Sequence, residues 1–347
     1  MAKNTNRKCS GCGGELVFSP TKHGLYCDKC KSFYSINANK QIVKLNYDSR
    51  LSKESSVNSS FNCPSCGANL KSTVREISKT CPYCNSNFVI NIENLNGLKP
   101  NSIIPFAFDK EKAIEYYKQG VKKKHFLPNA FKKSPGLDRI FGTYISCFSF
   151  DADTSSVYNG RIRIEETHTS NGETRRTSYT KNISGEKDYQ FKDVLIESSK
   201  LTNQRSFDQI KPFLIDNDSV YDYNEDFIRG YQVESYDNNL LNCKVLSEDY
   251  IKSQIRERIL SNYSYTSVDY LNVSSKFYND KFSYMLLPVY FIDFTYKNKP
   301  YKTYINGQTG KVGDDLPKSK TKIFFASFFI VLIIALIILL PLFLSWY

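Results

Sequence analysis

The chain has 347 residues, enough for two or three domains, and carries a formal net charge of +12 and ten cysteines. Eight of those cysteines stand in metal-type pairs, and the opening stretch, Met1 to Lys8, is polar and basic and does not read as a secretory leader. These features exclude a secreted disulfide scaffold and point to a reducing compartment.

The charge is uneven. Residues 1–98 hold 13 Lys/Arg against 6 Asp/Glu, and Lys318, Lys320 and Lys322 add three more near the other end. Such a basic face suits nucleic acid, anionic lipid or an acidic protein, or else is a solvated Lys/Asn-rich surface.

The first 95 residues are organised by cysteine. Cys9-Ser-Gly-Cys12 and Cys27-Asp-Lys-Cys30 are followed by Cys63-Pro-Ser-Cys66 and Cys81-Pro-Tyr-Cys84. Fourteen residues separate the two pairs in each half, and the second half repeats the first 54 positions later. Gly13 then falls on Gly67, Leu16 on Leu70 and Ile36 on Ile90. Two residues between cysteines let one tight turn deliver two sulfurs to one ion, and a hairpin brings in the second pair. The spacing predicts two four-cysteine zinc ribbons, over 1–45 and 61–95, and two Zn²⁺ ions per chain. Cys9, Cys12, Cys27 and Cys30 hold the first ion; Cys63, Cys66, Cys81 and Cys84 hold the second. Four thiolates also suit iron in a rubredoxin-like site, which is the alternative metal. Four cysteines fill a tetrahedral shell, so the expected role is structural rather than catalytic. Ribbons this short build no sizeable core, so metal supplies much of their folding free energy, on the order of 10–16 kcal/mol.

Residues 46–60 read as a Ser-rich linker. From 96 to 317 the pattern is that of an α+β domain with a mostly antiparallel sheet. Asp109 is the expected N-cap of a helix ending at Gly120. The basic run Lys122 to His125 reads as a solvated helix end. Phe141, Tyr144, Cys147, Phe148 and Phe150 mark a strand, and Cys147 and Cys243 read as buried thiols. Asn159-Gly160 and Asn171-Gly172 are hairpin-turn signals around Arg161–Glu165. Tyr189, Phe191, Val194 and Ile196 suggest another strand. Ser247 is the expected cap of a helix whose stripe is Ile251, Ile255 and Ile259. Met285 to Phe294 reads as a buried strand, and Tyr301 to Ile305 as its successor before a turn at Asn306-Gly307.

After the basic flank 318–322, residues 323–344 form an uncharged stretch of 22. At about 1.5 Å per residue it matches a hydrocarbon core of about 30 Å. Trp346 and Tyr347 suit an aromatic belt, and lysines on the N-terminal side alone predict a single-pass tail anchor in the cell membrane with the ribbons and central domain cytoplasmic.

The whole chain resembles a bacterial family of TFIIB-type zinc-ribbon membrane proteins. The resemblance rests on the two ribbons, Ile104-Pro105-Phe106, Leu286-Leu-Pro-Val289, Asn306-Gly-Gln-Thr-Gly-Lys311 and the terminal apolar span. Members are often labelled primosomal helicase-like. Some resemble the membrane component encoded beside phage-shock and SPFH-related virion-core-like proteins. That resemblance implies a cytoplasmic docking platform in envelope stress, and the eight cysteines are the site residues it carries over.

The helicase label conflicts with the residues. A helicase motor needs Gly-x-x-x-x-Gly-Lys-Ser/Thr, whereas Gly307-Gln-Thr-Gly310-Lys311 is too short and reads as a hairpin turn. His23, His125 and His168 are the only histidines, and neither His23 nor His168 has a nucleophile motif beside it. The acidic pairs Glu165-Glu166 and Asp314-Asp315 would point to opposite faces of a strand. The sequence therefore predicts no enzyme. It predicts an adaptor or scaffold that binds protein partners at the cytoplasmic membrane face. The alternative is a membrane-tethered nucleic-acid binder, whose binding would be weak and salt-sensitive.

Overall fold

The computed structural model describes residues 8–48, 59–63, 65–72, 78–84, 87–89, 98–133, 136–170, 173–199, 204–234, 236–313 and 315–344. In the first ribbon, β1 (Leu16–Ser19), β2 (Gly24–Cys27) and β3 (Phe33–Ser35) form an antiparallel sheet. β4 (Leu45–Asn46) follows. The second ribbon consists of two two-stranded sheets, β5 (Ser59–Asn62) with β6 (Asn69–Ser72) and β7 (Ser78–Thr80) with β8 (Asn87–Val89). Then come β9 (Ser102–Ile103), α1 (Lys110–Lys123), α2 (Asn129–Lys133) and two long strands, β10 (Arg139–Ser170) and β11 (Glu173–Glu197). The chain continues through α3 (Gln204–Ile210), β12 (Tyr221–Asp222), a 3₁₀ turn at Glu225–Ile228, β13 (Gln232–Val233) and α4 (Leu240–Leu260). It ends with β14 (Ser267–Tyr296), β15 (Lys299–Asn306) and α5 (Lys320–Leu344). The α+β character is as expected, with mostly antiparallel pairing.

The elements fall into two compact units. The first comprises Met1–Pro105, Tyr144–Thr202 and Leu214–Leu287. Its sheet runs β11-β10-β14-β9-β12, with β13 on β10 and β4 on β14. β10 and β11 form one long hairpin, paired from Cys147 opposite Glu197 out to Ser170 opposite Glu173, with a one-residue register shift between Phe150 and Ala152. Asn159-Gly160, expected as a turn, lies inside β10. A Cβ on Gly160 would sit 2.7 Å from the Tyr270 carbonyl oxygen, so this glycine reflects close strand approach. Asn171-Gly172 lies outside the described residues.

Tyr144, Cys147, Phe148 and Phe150 are all buried, and Phe148 meets Tyr284 at 5.1 Å between ring centroids. Ile251, Ile255 and Ile259 form the expected buried stripe of α4. That helix starts earlier than Ser247. Asn239 caps it by accepting from the Asn242 amide, while Ser247 is buried within it and donates to the Lys244 carbonyl. A serine can return its hydroxyl to its own helix backbone, which removes the need for a terminus there.

Asn46, expected to open the linker, pairs with Lys281 in the sheet. Just before it, the Lys44 ammonium bonds Asp151 at 2.8 Å and Asp193 at 2.6 Å, pinning the segment after ribbon one. The first ribbon is itself packed into this unit. Its Phe18 is 3% exposed, donates its amide to the Arg229 carbonyl and meets the Phe227 ring edge-on at 5.3 Å.

The second unit comprises Phe106–Thr143, Asn203–Phe213 and Pro288–Tyr347. The end of β14 pairs antiparallel with β15, from Val289 opposite Asn306 to Tyr296 opposite Lys299. Aromatic packing fills the core: Phe141 stacks on Phe291 at 5.3 Å and Phe294 on Tyr301 at 5.4 Å. Asp109 caps α1 by accepting from the Lys112 amide, as the sequence implied. The helix continues through Gly120, its expected end. A Cβ on Gly120 would lie 2.8 Å from the Val312 side chain, so the glycine makes room for a neighbour. α5 ends the unit, and none of its Lys320–Ile337 stretch is buried.

Phe18→Ala should destabilise the first unit by about 3 kcal/mol, the usual cost of emptying a buried aromatic site. Hydrogen exchange on the metal-loaded chain should show faster exchange of the amides from Glu225 to Val233, with cysteine-bound metal retained.

Candidate metal centres

Three of the four cysteine pairs sit on tight turns built the same way; residues 85 and 86, after the fourth pair, lie outside the described residues. The Gly13 amide donates to the Cys9 carbonyl and the Cys9 amide to the Gly14 carbonyl, both at 2.8 Å. Lys31 and Ser32 repeat the pattern with Cys27, and Gly67 and Ala68 with Cys63. In each turn the residue after the second cysteine takes positive φ: 69° at Gly13, 64° at Lys31 and 75° at Gly67. Glycine adopts this conformation without steric cost, whereas Lys31 is held there by the turn.

These turns bring together the residues that the spacing predicted. The sulfurs of Cys9, Cys12, Cys27 and Cys30 all lie within 4.8 Å of one another, as do those of Cys63, Cys66, Cys81 and Cys84. In the first set Cys9 is 3.4 Å from Cys30 and Cys12 is 3.5 Å from Cys27. In the second, Cys63–Cys84 and Cys66–Cys81 are both 3.7 Å apart. Sulfurs around a tetrahedral ion at 2.3 Å stand about 3.8 Å apart, so both sets fit one metal ion each. All eight thiols are free of disulfides. The donor set is consistent with zinc. With four protein ligands apiece, neither centre keeps a coordination position for substrate.

The thiols differ in how readily they ionise. Hydrogen bonding from the Tyr34 hydroxyl, 3.3 Å from its sulfur, outweighs burial and lowers Cys9 to about 6. The Ser32 hydroxyl, 3.1 Å away, lowers Cys30. At Cys12 the Gly14 amide pulls downward, but the Cys30, Cys27 and Cys9 sulfurs and burial prevail and raise it to about 12. At Cys66 the Ala68 amide acts likewise against burial and the other three sulfurs, and the result is again about 12. Neighbouring sulfurs thus resist simultaneous ionisation, and a divalent cation removes that resistance.

Sequence reasoning missed the Tyr34 contact. The repeat offset puts Phe88 at the corresponding position of the second copy, so only the first has a hydroxyl there. That tyrosine–phenylalanine difference is the signal that a comparison of the two copies contains. Phe18 is buried, and Tyr26 lies under the Lys22 ammonium at 3.7 Å. Phe33 is 49% exposed and Tyr83, between the last two cysteines, is 75% exposed.

Among the described residues, none of the remaining candidates belongs to either cysteine cluster. His23 and His125 are exposed, and the side chain of His168 lies outside the described residues. Cys147 and Cys243 are buried, and burial followed by Glu197 pushes the Cys243 thiol up to about 12. Glu165 and Glu166 are exposed, and Glu166 accepts from the Tyr179 hydroxyl. At the Gly307–Lys311 turn, the Gln308 and Thr309 amides donate to the Asn306 side chain and the Gly310 amide to the Asn306 carbonyl. Those donors are committed within the turn, as a hairpin requires.

The chain is similar to an uncharacterized protein, YdjG, of Bacillus subtilis (strain 168), at 25% identity over 320 residues that cover 91% of each chain. No protein-family model and no solved structure matches it significantly.

Purified full-length protein should contain two equivalents of zinc by elemental analysis, and Cys63→Ser should reduce this to one. One equivalent or fewer in the wild type, with all thiols reduced, would refute the assignment. Tyr34→Phe should keep both ions but weaken the first site by at least about tenfold in a chelator competition, the usual effect of removing a hydrogen bond that tunes a metal ligand.

Proposed function

We propose that this chain is a membrane-anchored adaptor whose zinc ribbons and α+β part bind protein partners on the cytoplasmic face of the cell membrane. The observation that carries the reading is a pairing: two metal centres closed by four sulfurs each, in a chain with a long exposed apolar helix. A closed centre holds a fold and presents a surface; it does not activate water or substrate. Among the described residues no other group of His, Cys, Asp or Glu has metal-binding geometry; Glu165 and Glu166 are exposed, and Asp315 is half-buried and accepts from the Ser206 hydroxyl. The chain is accordingly proposed not to be an enzyme.

Among the described residues, Phe33 and Tyr83 are the ribbon aromatics left exposed, and exposed aromatics anchor protein interfaces. The resemblance to TFIIB-type zinc-ribbon membrane proteins suggests envelope-stress proteins as the partner class. The second reading, a membrane-tethered nucleic-acid binder, draws on Lys22, Lys29 and Lys31, all exposed on the first ribbon.

α5 is long and apolar enough to cross a membrane, with mean hydropathy 2.2 over Lys320–Ile337. The tail-anchored topology is proposed from the lysines preceding it. Trp346 and Tyr347, the suggested aromatic belt, lie outside the described residues.

Crosslinking and pull-down of the native membrane complex should recover protein partners without nucleic acid, and Tyr83→Ala should reduce recovery severalfold. Titration of the full chain with DNA and RNA should give at most weak binding that falls steeply with salt, the mark of counterion release. Tight nucleic-acid binding at physiological salt would replace the adaptor reading with the second one. A chain ending at Pro317 should leave the membrane fraction; its retention after a salt wash would refute the anchor.

A further inference from the structure

Five lysines gather where α5 begins. Lys297 comes from the β14–β15 turn, Lys299 from the start of β15, and Lys318, Lys320 and Lys322 from the approach to α5 and its first turn. Together they line an open concavity of roughly 760 Å³ whose walls include Tyr296, Tyr301 and Phe325. The lysines are not equivalent. Lys322 is committed to the protein, donating to the Leu127 carbonyl at 2.8 Å and to Asn129 Oδ1 at 2.7 Å. Lys302, just outside the concavity, faces Asp293 at 4.0 Å. Lys297, Lys299, Lys318 and Lys320 are exposed and have no carboxylate partner among the described residues.

Like charges brought to one concavity repel one another, and this arrangement is satisfied when an anion enters it. The anion's source follows from what adjoins the site. The same lysines lead directly into an apolar helix with no buried side chains over 18 residues. A helix of that kind puts its basic end at the depth of lipid headgroups, and tyrosines such as Tyr296 and Tyr301 suit the same depth. We propose that this concavity binds the phosphate of an anionic phospholipid from the bilayer that α5 enters. Ammonium groups from two separate chain segments meet the phosphodiester, Tyr296 and Tyr301 flank it, and Phe325 faces the acyl chains. Basic pockets beside membrane helices recognise anionic headgroups in this way. The proposal rests on the membrane reading of α5.

The test uses the full chain, purified in mild detergent and mixed with phosphatidylcholine and phosphatidylglycerol, with retained lipid counted by native mass spectrometry. Wild-type protein should retain phosphatidylglycerol in preference to phosphatidylcholine. Changing Lys297, Lys299, Lys318 and Lys320 to Gln should lower that preference by about fivefold per lysine removed. Gln at the equally exposed Lys118, Lys123, Lys192 and Lys276 should leave it unchanged. Circular dichroism and zinc content should show that both variants fold as the wild type. Equal retention of the two lipids by wild type, or a preference that survives the four changes at the site, would overturn the proposal. So would displacement of phosphatidylglycerol by inorganic phosphate at millimolar concentration, which would reassign the site to a free anion. If wild-type protein leaves vesicles of the same lipids after a salt wash, the membrane reading itself fails. Retention in the vesicles without lipid preference would sink only the headgroup site.

Discussion

Four thiols crowded into one small volume cannot all be ionised unless a cation lies among them. That constraint governs the first quarter of the chain, where the hairpins are too short to exclude water from a core of their own. Among the described residues of the second ribbon, the buried cluster is Leu70 with Cys63 and Cys81. The first ribbon's cluster is little larger, with Leu16 and Leu25 beside Cys9 and Cys27. An ion held by four sulfurs would substitute for apolar burial, and the backbone is arranged to receive one. Each tight turn curls so that two sulfurs face inward, and positive φ at Gly13, Lys31 and Gly67 is part of that curl.

The two copies diverge in their immediate surroundings. In the first, Tyr34 and Ser32 donate hydroxyl hydrogen bonds to cysteine sulfurs, and Phe18 joins the ribbon to the 3₁₀ turn and the segment after it. The segment after this ribbon then adds β4 to the edge of β14 and fixes Lys44 between two aspartates. The first ribbon thus behaves as part of a larger folded unit. Duplication preserved the coordination chemistry and let the outer contacts change.

What could be read from the sequence divides along physical lines. The cysteine sets were fully legible, because coordination is fixed by local spacing. The cap at Asp109, the stripe of Ile251, Ile255 and Ile259, and the buried strand from Met285 were legible for the same reason: each is a local pattern. The misreadings involved residues whose role depends on a distant neighbour. Gly120 looks like a helix end until Val312 is seen against it, and Gly160 looks like a turn until the Tyr270 carbonyl is seen beside it. Ser247 has the chemistry of a cap, but Asn239 had already supplied one. Asn46 is polar enough for a linker, yet a sheet edge satisfies its backbone. No local rule contains these partners.

The hold that Lys322 has on the loop before α2 bears on how the protein would search for partners. Its ammonium joins the first turn of α5 to Leu127 and Asn129, and the Ser319 amide donates to the Phe126 carbonyl close by. A membrane protein whose soluble part hangs from a loose tether samples every orientation above the surface. Here the helix and the unit it belongs to are fastened together at the helix's first turn. For a bilayer-inserted α5, the second unit keeps a fixed tilt and height, and its diffusion reduces to sliding and spinning in a plane. For that unit, such confinement favours partners that are themselves held at the same surface.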